Sequence, residues 1–145
     1  AYADGDLLFP VTEIPYAVAV EGGTAILQSA AIIITGSADG SETGALDVVI
    51  TSDATTLTDS SGDLASNTAL NTATNASAVF DGTAGMFAIS NAIDMGIVSV
   101  GSKANIGIVC KAASGTRSLY AFGIARSTND YEEGSAVLRL GFVKD

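Results

Sequence analysis

The sequence predicts an all-β fold, namely a β-sandwich or jelly-roll-like domain with an extended N-terminal arm. Three observations predict this class. Apolar and β-branched segments recur along the chain as about nine or ten short strands. Turns rich in Gly, Ser, Asn and Asp separate them at intervals of about 8–12 residues. Both prolines lie within the first 15 residues, and the length of 145 residues fits one domain.

Residues 1–15 form the predicted arm, ahead of a single β-sandwich domain over residues 16–145. Pro10 and Pro15 have no backbone N–H to donate, which restricts this extended segment to an edge strand or an arm. An arm of this kind lies on a neighbouring subunit, and the alternative is a lead-in strand on the chain's own domain. The apolar residues of the arm are candidate contacts with a partner: Leu7, Leu8, Phe9 and Val11.

Within the domain, the strand predictions follow the spacing of apolar residues and glycine-rich turns. The predicted strands are 16–21, 24–35, 45–51, 77–80, 86–89, 96–100, 104–112, 117–126 and 136–143. The turn at 113–116 predicts that the two strands on either side of it form a hairpin. In the last strand, a period of two places Arg139 on the face opposite the core-facing row.

A polar excursion rich in Ser, Thr, Asn and Asp interrupts the strands at 52–77. A turn or a short helix is expected near Asp63, with Asp63 as a cap. We interpret Asp59 to Asp63 as a solvated turn with an Asx hydrogen bond, because it lacks the further acids and the final Glu of a calcium loop. Three leucines give the excursion apolar anchors: Leu57, Leu64 and Leu70.

Charge is divided unevenly along the chain. Residues 1–102 hold twelve acids and no Lys or Arg, whereas residues 103–145 hold all six cations against four acids, and the net charge is −10. Nucleic acid is not an expected partner, because phosphate binding needs clustered cations. The basic C-terminal strands are expected to lie near an acidic surface of a neighbouring chain, with three candidate polar contacts: Arg117, Arg126 and Arg139.

The residue inventory excludes several catalytic centres. The chain has no His, and its one cysteine, Cys110, lies in an apolar run typical of a core residue. A Ser-His-Asp triad, a Cys/His pair and a His-based zinc site are therefore excluded. We expect no enzymatic activity, no cofactor and no metal site. A membrane is not an expected partner either, because no apolar run approaches the roughly 20 residues of a spanning helix.

The composition favours assembly. Apolar residues make up 48% of the chain and charged residues 15%, against roughly 25% charged residues in typical domains. With so few charges to cover its outside, the chain is expected to bury surface against other chains, with a trimer of itself favoured. The alternative is a monomer whose surface is coated with Ser, Thr, Asn and Ala.

Three segments resemble small virion structural proteins of tailed bacteriophages. They are KANIGIVCKAASGTRSLYAFGIAR at 103–126, LRLGFVKD at 138–145 and GTAILQS at 23–29. The resemblance covers about half of the chain, and residues 52–81 depart from it. It implies a virion component. With the small size, β-rich character and acidic balance, it predicts a capsid decoration (cement) protein on the outer capsid surface that bridges capsomers of the major capsid protein.

Two other functions stay open from the sequence alone. A tail tube or tail fibre subunit would also be structural, but would assemble in rings or along an axis. A carbohydrate-binding β-sandwich module would need a face lined by aromatic side chains, for which the chain offers four tyrosines: Tyr2, Tyr16, Tyr120 and Tyr131.

Overall fold

The computed structural model describes residues 2–35, 45–90, 92–95, 98–128 and 136–144, apart from the side chain of Asp94. Strands make up 58% of the structure and helix 7%. Every strand pair among the described residues is antiparallel. The predicted all-β class is therefore confirmed.

Ten strands, one 3-10 turn and one short helix build the described part of the chain. The strands are β1 (Leu7–Ile14), β2 (Thr24–Thr35), β3 (Leu46–Thr51), β4 (Thr58–Asp59), β5 (Gly62–Asp63), β6 (Thr83–Ile89), β7 (Ile93–Asp94), β8 (Val98–Lys111), β9 (Leu119–Ala125) and β10 (Ala136–Lys144). The 3-10 turn spans Leu70–Thr72 and helix α1 spans Ala76–Asp81, both between β5 and β6.

The long strands form two four-stranded sheets. The first sheet has the order β1-β9-β3-β6 and the second has the order β10-β2-β8-β7, while β4 and β5 pair only with each other. Both sheets contribute to one main core cluster, for example Val48 from the first sheet and Leu27 from the second. At one side β6 lies close to β8, because a Cβ on Gly85 would stand 2.9 Å from Cγ2 of Ile108.

A second core cluster lies on the opposite face of the first sheet. Residues 52–82, which we call the outer layer, cover this face with Leu57, Leu64 and Val79, and all three are buried together with Phe122 of β9. The ring of Phe80 meets the ring of Phe122 edge-to-face, with 5.4 Å between centroids. The predicted leucine anchors are thereby confirmed, and β9 is buried on both of its faces.

The N-terminal segment is part of the first sheet. Strand β1 pairs with β9 of the same chain, from Leu7 opposite Ile124 to Ile14 opposite Leu119. The pairing is irregular between Phe9 and Thr12, where the missing N–H of Pro10 falls. The structure therefore does not confirm an extended arm for these residues, and it agrees with the alternative of a lead-in edge strand.

Two local predictions are wrong. Residues 16–21 form turns and bends instead of a strand, because Tyr16 has a φ of 54° and the N–H of Val18 bonds to the carbonyl of Arg117. Residues 77–80 lie in helix α1, where Ala residues favour the helix and only Val79 is buried.

Near Asp63 the chain forms the β4–β5 hairpin rather than a helix. The predicted Asx hydrogen bond is confirmed at its turn: the N–H of Ser61 donates to Oδ1 of Asp59 over 2.6 Å. The segment is thus a locally satisfied polar turn.

The predicted hairpin across 113–116 is also wrong at the level of the sheets. Its turn is present, with Gly115 at a φ of 81°, but β8 belongs to the second sheet and β9 to the first. The connection crosses between sheets. Residues 98–111 of the strands predicted at 96–100 and 104–112 form one continuous strand, β8, which bulges between Ala104 and Ile108, while positions 96 and 97 lie outside the described residues.

Candidate protein interface

The four predicted arm contacts lie against the chain's own core. Leu7 and Leu8 are 0% and 7% exposed, so they have no surface to offer a neighbour, which corrects that expectation. Phe9 packs over Gly123, where a Cβ would overlap its ring. Val11 is half-buried against the second cluster. Residues of an edge strand that close a core behave in this way, because their side chains alternate between two buried faces.

Arg126 is engaged within the chain. Its Nε lies 2.6 Å from Oδ2 of Asp47, and its Nη1 lies 3.7 Å from Oδ1 of Asp4. The hydrogen bond to Asp47 is the main cause that raises the pKa of the guanidinium above its ordinary value. Arg126 therefore ties β3 and the N-terminal residues to the end of β9, and its charge is already paired.

Arg117 and Arg139 have free charges in the described structure. Arg117 is exposed, and its guanidinium stands 6.0 Å from the ring centroid of Tyr16. Arg139 lies on β10 and is exposed, which confirms its predicted position away from the core. Of the seven predicted contact residues, Arg139 is the one that lies on a face of the second sheet.

The outer face of the second sheet carries a row of apolar side chains across three strands. Val143 of β10 stands opposite Ile26 of β2, and Ile26 stands opposite Val109 of β8. Their exposed fractions are 56%, 37% and 65%. Their sequence neighbours Leu27 and Cys110 are buried in the main core, so the row faces away from it.

A second row lies six residue pairs further along the β10–β2 ladder. Val137 stands opposite Ile33, which stands opposite Val100, and Val137 is 49% exposed. We call these two rows, together with the residues between them, the apolar face. In contrast to the matching face of the first sheet, which the outer layer covers, no described residue forms a core cluster on this face.

A shallow depression of about 430 Å³ lies between the two rows. Two cations, Lys103 and Arg139, border it, and among the described residues neither has an ion-pair partner. Small side chains form the rest of its lining, together with the edge of Leu140: Ser29, Ala30, Ala31, Ser102, Ala104 and Gly141. By register Arg139 stands opposite Ala31 on the apolar face, whereas Lys103 stands opposite Ala30, which is buried in the main core. Arg139 is therefore the cation beside the depression that is free to bind a carboxylate on this face.

The three strands of the apolar face contain no acidic residue. Strands β2, β8 and β10 span 12, 14 and 9 residues, and their charges are all positive: Lys103, Lys111, Arg139 and Lys144. The chain as a whole has a net charge of −10. Of these four, Lys111 and Arg139 lie on the apolar face, because Lys103 and Lys144 stand opposite the core residues Ala30 and Ala25. With two cations and no acid on its three strands, the apolar face is a locally positive surface on an acidic protein.

Sequence reasoning missed the exposed apolar residues of this face, although the signal was present. Ile26 and Val109 alternate with core residues on strands that are apolar on both faces. Continuous apolar runs of this kind are typical of strands covered on both sides, and here one side has no cover among the described residues.

Other sites that the sequence suggested carry little chemistry. Within the described ranges, no group of three or more Cys, Asp or Glu side chains is placed to hold a metal ion. Cys110 is fully buried, and this burial is the main cause that raises the pKa of its thiol. Of the tyrosines, Tyr16 is exposed, Tyr2 and Tyr120 are half-buried, and Tyr131 lies outside the described residues.

No helix in the described part of the chain is long and apolar enough to cross a membrane. Comparison of the chain with protein family models, with curated protein sequences and with solved structures finds no match.

Proposed function

We propose that this chain is a non-catalytic structural subunit of a tailed-phage virion, and more specifically a capsid decoration protein on the outer surface. The observation that carries the proposal is the apolar face, an acid-free and half-exposed surface of three strands on a chain that is acidic elsewhere. In this function the face packs against the major capsid protein and bridges adjacent capsomers.

The energetics indicate how much of the face a partner covers. Complete burial of a Val or Ile side chain contributes about 1.5–3 kcal/mol, so completing the burial of a half-exposed one contributes roughly half of that. One row of three such side chains then contributes about 2–4 kcal/mol, which is below the roughly 4–15 kcal/mol that association costs. A stable partner must cover both rows and the depression between them.

Charge supports a position outside the shell. An acidic surface is repelled by packaged DNA, whereas the positive apolar face is attracted to acidic protein surfaces. Arg139 borders the centre of the face, so a capsid carboxylate paired with it would fix the orientation of the subunit. Burial of such a charged pair is favourable only when the hydrogen bonds are complete.

The test is cryo-electron microscopy of the phage particle that the same genome encodes. Density for this fold on the capsid, with the apolar face against the shell, is expected. Density found only in the tail would refute decoration and favour the tail tube or tail fibre alternative. Absence from the particle would refute a virion role of any kind.

A binding assay with matched variants complements the microscopy. Val109→Thr and Ile26→Thr on the apolar face are expected to weaken binding to undecorated capsids at least tenfold when combined. Met86→Thr is the control, because Met86 is 53% exposed but lies on β6 of the other sheet. Equal losses from the control and from the face variant would contradict the proposed surface.

A carbohydrate-binding module remains the second candidate, and exposed Tyr16 beside Arg117 is the observation that favours it. A glycan array decides between the two candidates. Binding that is lost in Tyr16→Ala would support the module, and the lack of binding to any glycan would remove it.

A further inference from the structure

The sheet edges differ in how they are protected against pairing with another chain. The free edge of β1 contains Pro10, and its start is capped by backbone hydrogen bonds between Leu7 and residues 67–68. Strand β6 lies against β8, and β7 is only two residues long. These are common ways in which proteins block an exposed edge.

Strand β10 has none of these protections among the described residues. It is nine residues long and contains no proline. The irregularity in its pairing with β2 comes from one extra residue on β2, Gln28, so β10 itself is regular. No described backbone group bonds to its outer edge. A long, regular and apolar edge is a template for a further strand.

The core beside this edge is also incompletely covered. Leu138, Leu140 and Phe142 face the main core but are only half-buried. Their neighbours on β2 in the same cluster, such as Leu27 and Ile32, are 0% and 1% exposed. Another strand beyond β10 would complete the burial of these three side chains.

We infer that the missing strand is β10 of a second copy, paired antiparallel about a two-fold axis at Leu140. Residues directly opposite each other share a face, so the core-facing row of one copy must meet the core-facing row of the other. The register that keeps this rule and pairs all nine residues places Leu140 opposite Leu140 of the partner subunit. Leu138 then stands opposite Phe142 of the partner subunit.

The same register suits the outer face. Val137 of each copy meets Val143 of the partner subunit, so the two apolar rows become continuous across the pair. Arg139 stands opposite Gly141 of the partner subunit, which has no side chain to obstruct it. The pair forms one sheet of eight strands whose apolar face is doubled in area.

Electrostatics permits the contact. Neither β10 nor the adjacent β2 contains an acid, so the strands that meet bring no carboxylates together although each chain carries a net charge of −10. The general repulsion between the two chains is screened by salt. Association is therefore expected to strengthen as the salt concentration rises. Because the pairing closes after two copies, a trimer would have to use another surface.

Cysteine cross-linking tests the pairing and its register. In a Cys110→Ala background, the double variant Val137→Cys and Val143→Cys places thiols opposite each other, with Cβ atoms about 4.5–5.5 Å apart. Oxidation or a short bis-maleimide reagent is expected to convert more than half of the protein to a covalent dimer. An equimolar mixture of the two single variants is expected to cross-link as well.

Each single variant alone is the matched control. In a dimer of one single variant, each copy contributes one thiol. The two thiols are then six residues apart along the ladder, about 20 Å, and are expected to stay unlinked. Both positions are exposed, and circular dichroism checks that the variants fold. A cross-link in either single variant, or a monomer at every protein and salt concentration in analytical ultracentrifugation, overturns the inference. The inference does not rest on the proposed function, since it concerns the isolated chain: loss of capsid binding would leave the dimer intact.

Discussion

Val→Thr substitution at two strand positions tests which side chains stabilise the fold and which contact a partner. Val48 of β3 is 0% exposed in the main core, and Val109 of β8 is 65% exposed on the apolar face. Threonine has nearly the same shape and a good strand propensity. The substitution therefore changes little except the polarity of one group.

The expected magnitudes differ because only one hydroxyl is buried. At Val48 the hydroxyl loses water, and a buried unsatisfied polar group costs about 1–3 kcal/mol. For a domain near this size, each kcal/mol lowers Tm by about 2–4 °C, so Val48→Thr is expected to lower Tm by about 2–12 °C. At Val109 the hydroxyl stays in water, and the change in unfolding free energy is expected to stay within about 0.5 kcal/mol.

The assay is thermal and urea unfolding followed by circular dichroism, in parallel with sedimentation of the assembled form. Val109→Thr is expected to unfold like the parent chain and to bind its partner more weakly. Val48→Thr is expected to unfold at a lower temperature than the parent chain. At temperatures where it stays folded, it is expected to bind the partner as tightly as the parent chain does. If Val109→Thr lowers Tm as much as Val48→Thr, the apolar face is part of the core and the reasoning fails.

Three further predictions concern the described packing. Gly123→Ala is expected to lower the unfolding free energy by about 1–3 kcal/mol, because the added methyl group overlaps Phe9. Urea unfolding measures this loss. Adding Phe9→Ala to the Gly123→Ala variant should recover part of the lost free energy. Asp47→Asn is expected to cost less than about 1 kcal/mol and to lose its effect in high salt, because Arg126 is 40% exposed. Cys110 is expected to react with a thiol reagent only after unfolding. Stability should fall as the pH rises past the ordinary thiol pKa, because the unfolded thiol ionises while burial keeps the folded pKa raised; reaction in the native state at the rate of a free thiol would contradict this burial.

Local sequence patterns were sufficient to predict where most strands lie, but not which strands pair with each other. Strand β2 was predicted with its observed bounds, because its apolar run has clear turn residues on both sides. The turn after β8 was also predicted, from Gly115 and its neighbours. The assignment of β8 and β9 to different sheets could not be predicted, since both strands are apolar and the choice of neighbour depends on long-range contacts.

The errors at 77–80 and at Arg126 have the same origin. Val79 and Phe80 have strand-forming side chains, but burial of Val79 against the second cluster together with the flanking alanines stabilises a helix. Asp47 is 79 residues from Arg126 in the sequence, and the two meet only because β3 and β9 pair in a particular register. Sequence reasoning identified the cation but not its internal partner.

The uneven division of charge along the sequence corresponds in part to an uneven distribution of charge over the strands. The acid-free strands of the second sheet hold four of the six cations, and Arg126 is neutralised by acids of its own chain. That the basic strands lie near an acidic neighbour stays a prediction, and Arg139 on the apolar face is a freer candidate contact for it than Arg126, whose charge is paired within the chain. Charge reversal by Arg139→Glu is the direct substitution for testing it.

The central claim is that the outer face of the second sheet is the surface through which this chain assembles. Hydrogen–deuterium exchange by mass spectrometry, on the isolated chain and on the assembled form, tests it most directly. The claim predicts that slowed exchange on assembly concentrates in β10, β2 and β8, while the outer layer at 52–82 exchanges as before. Slowed exchange confined to the outer layer, with β10 unchanged, would contradict it.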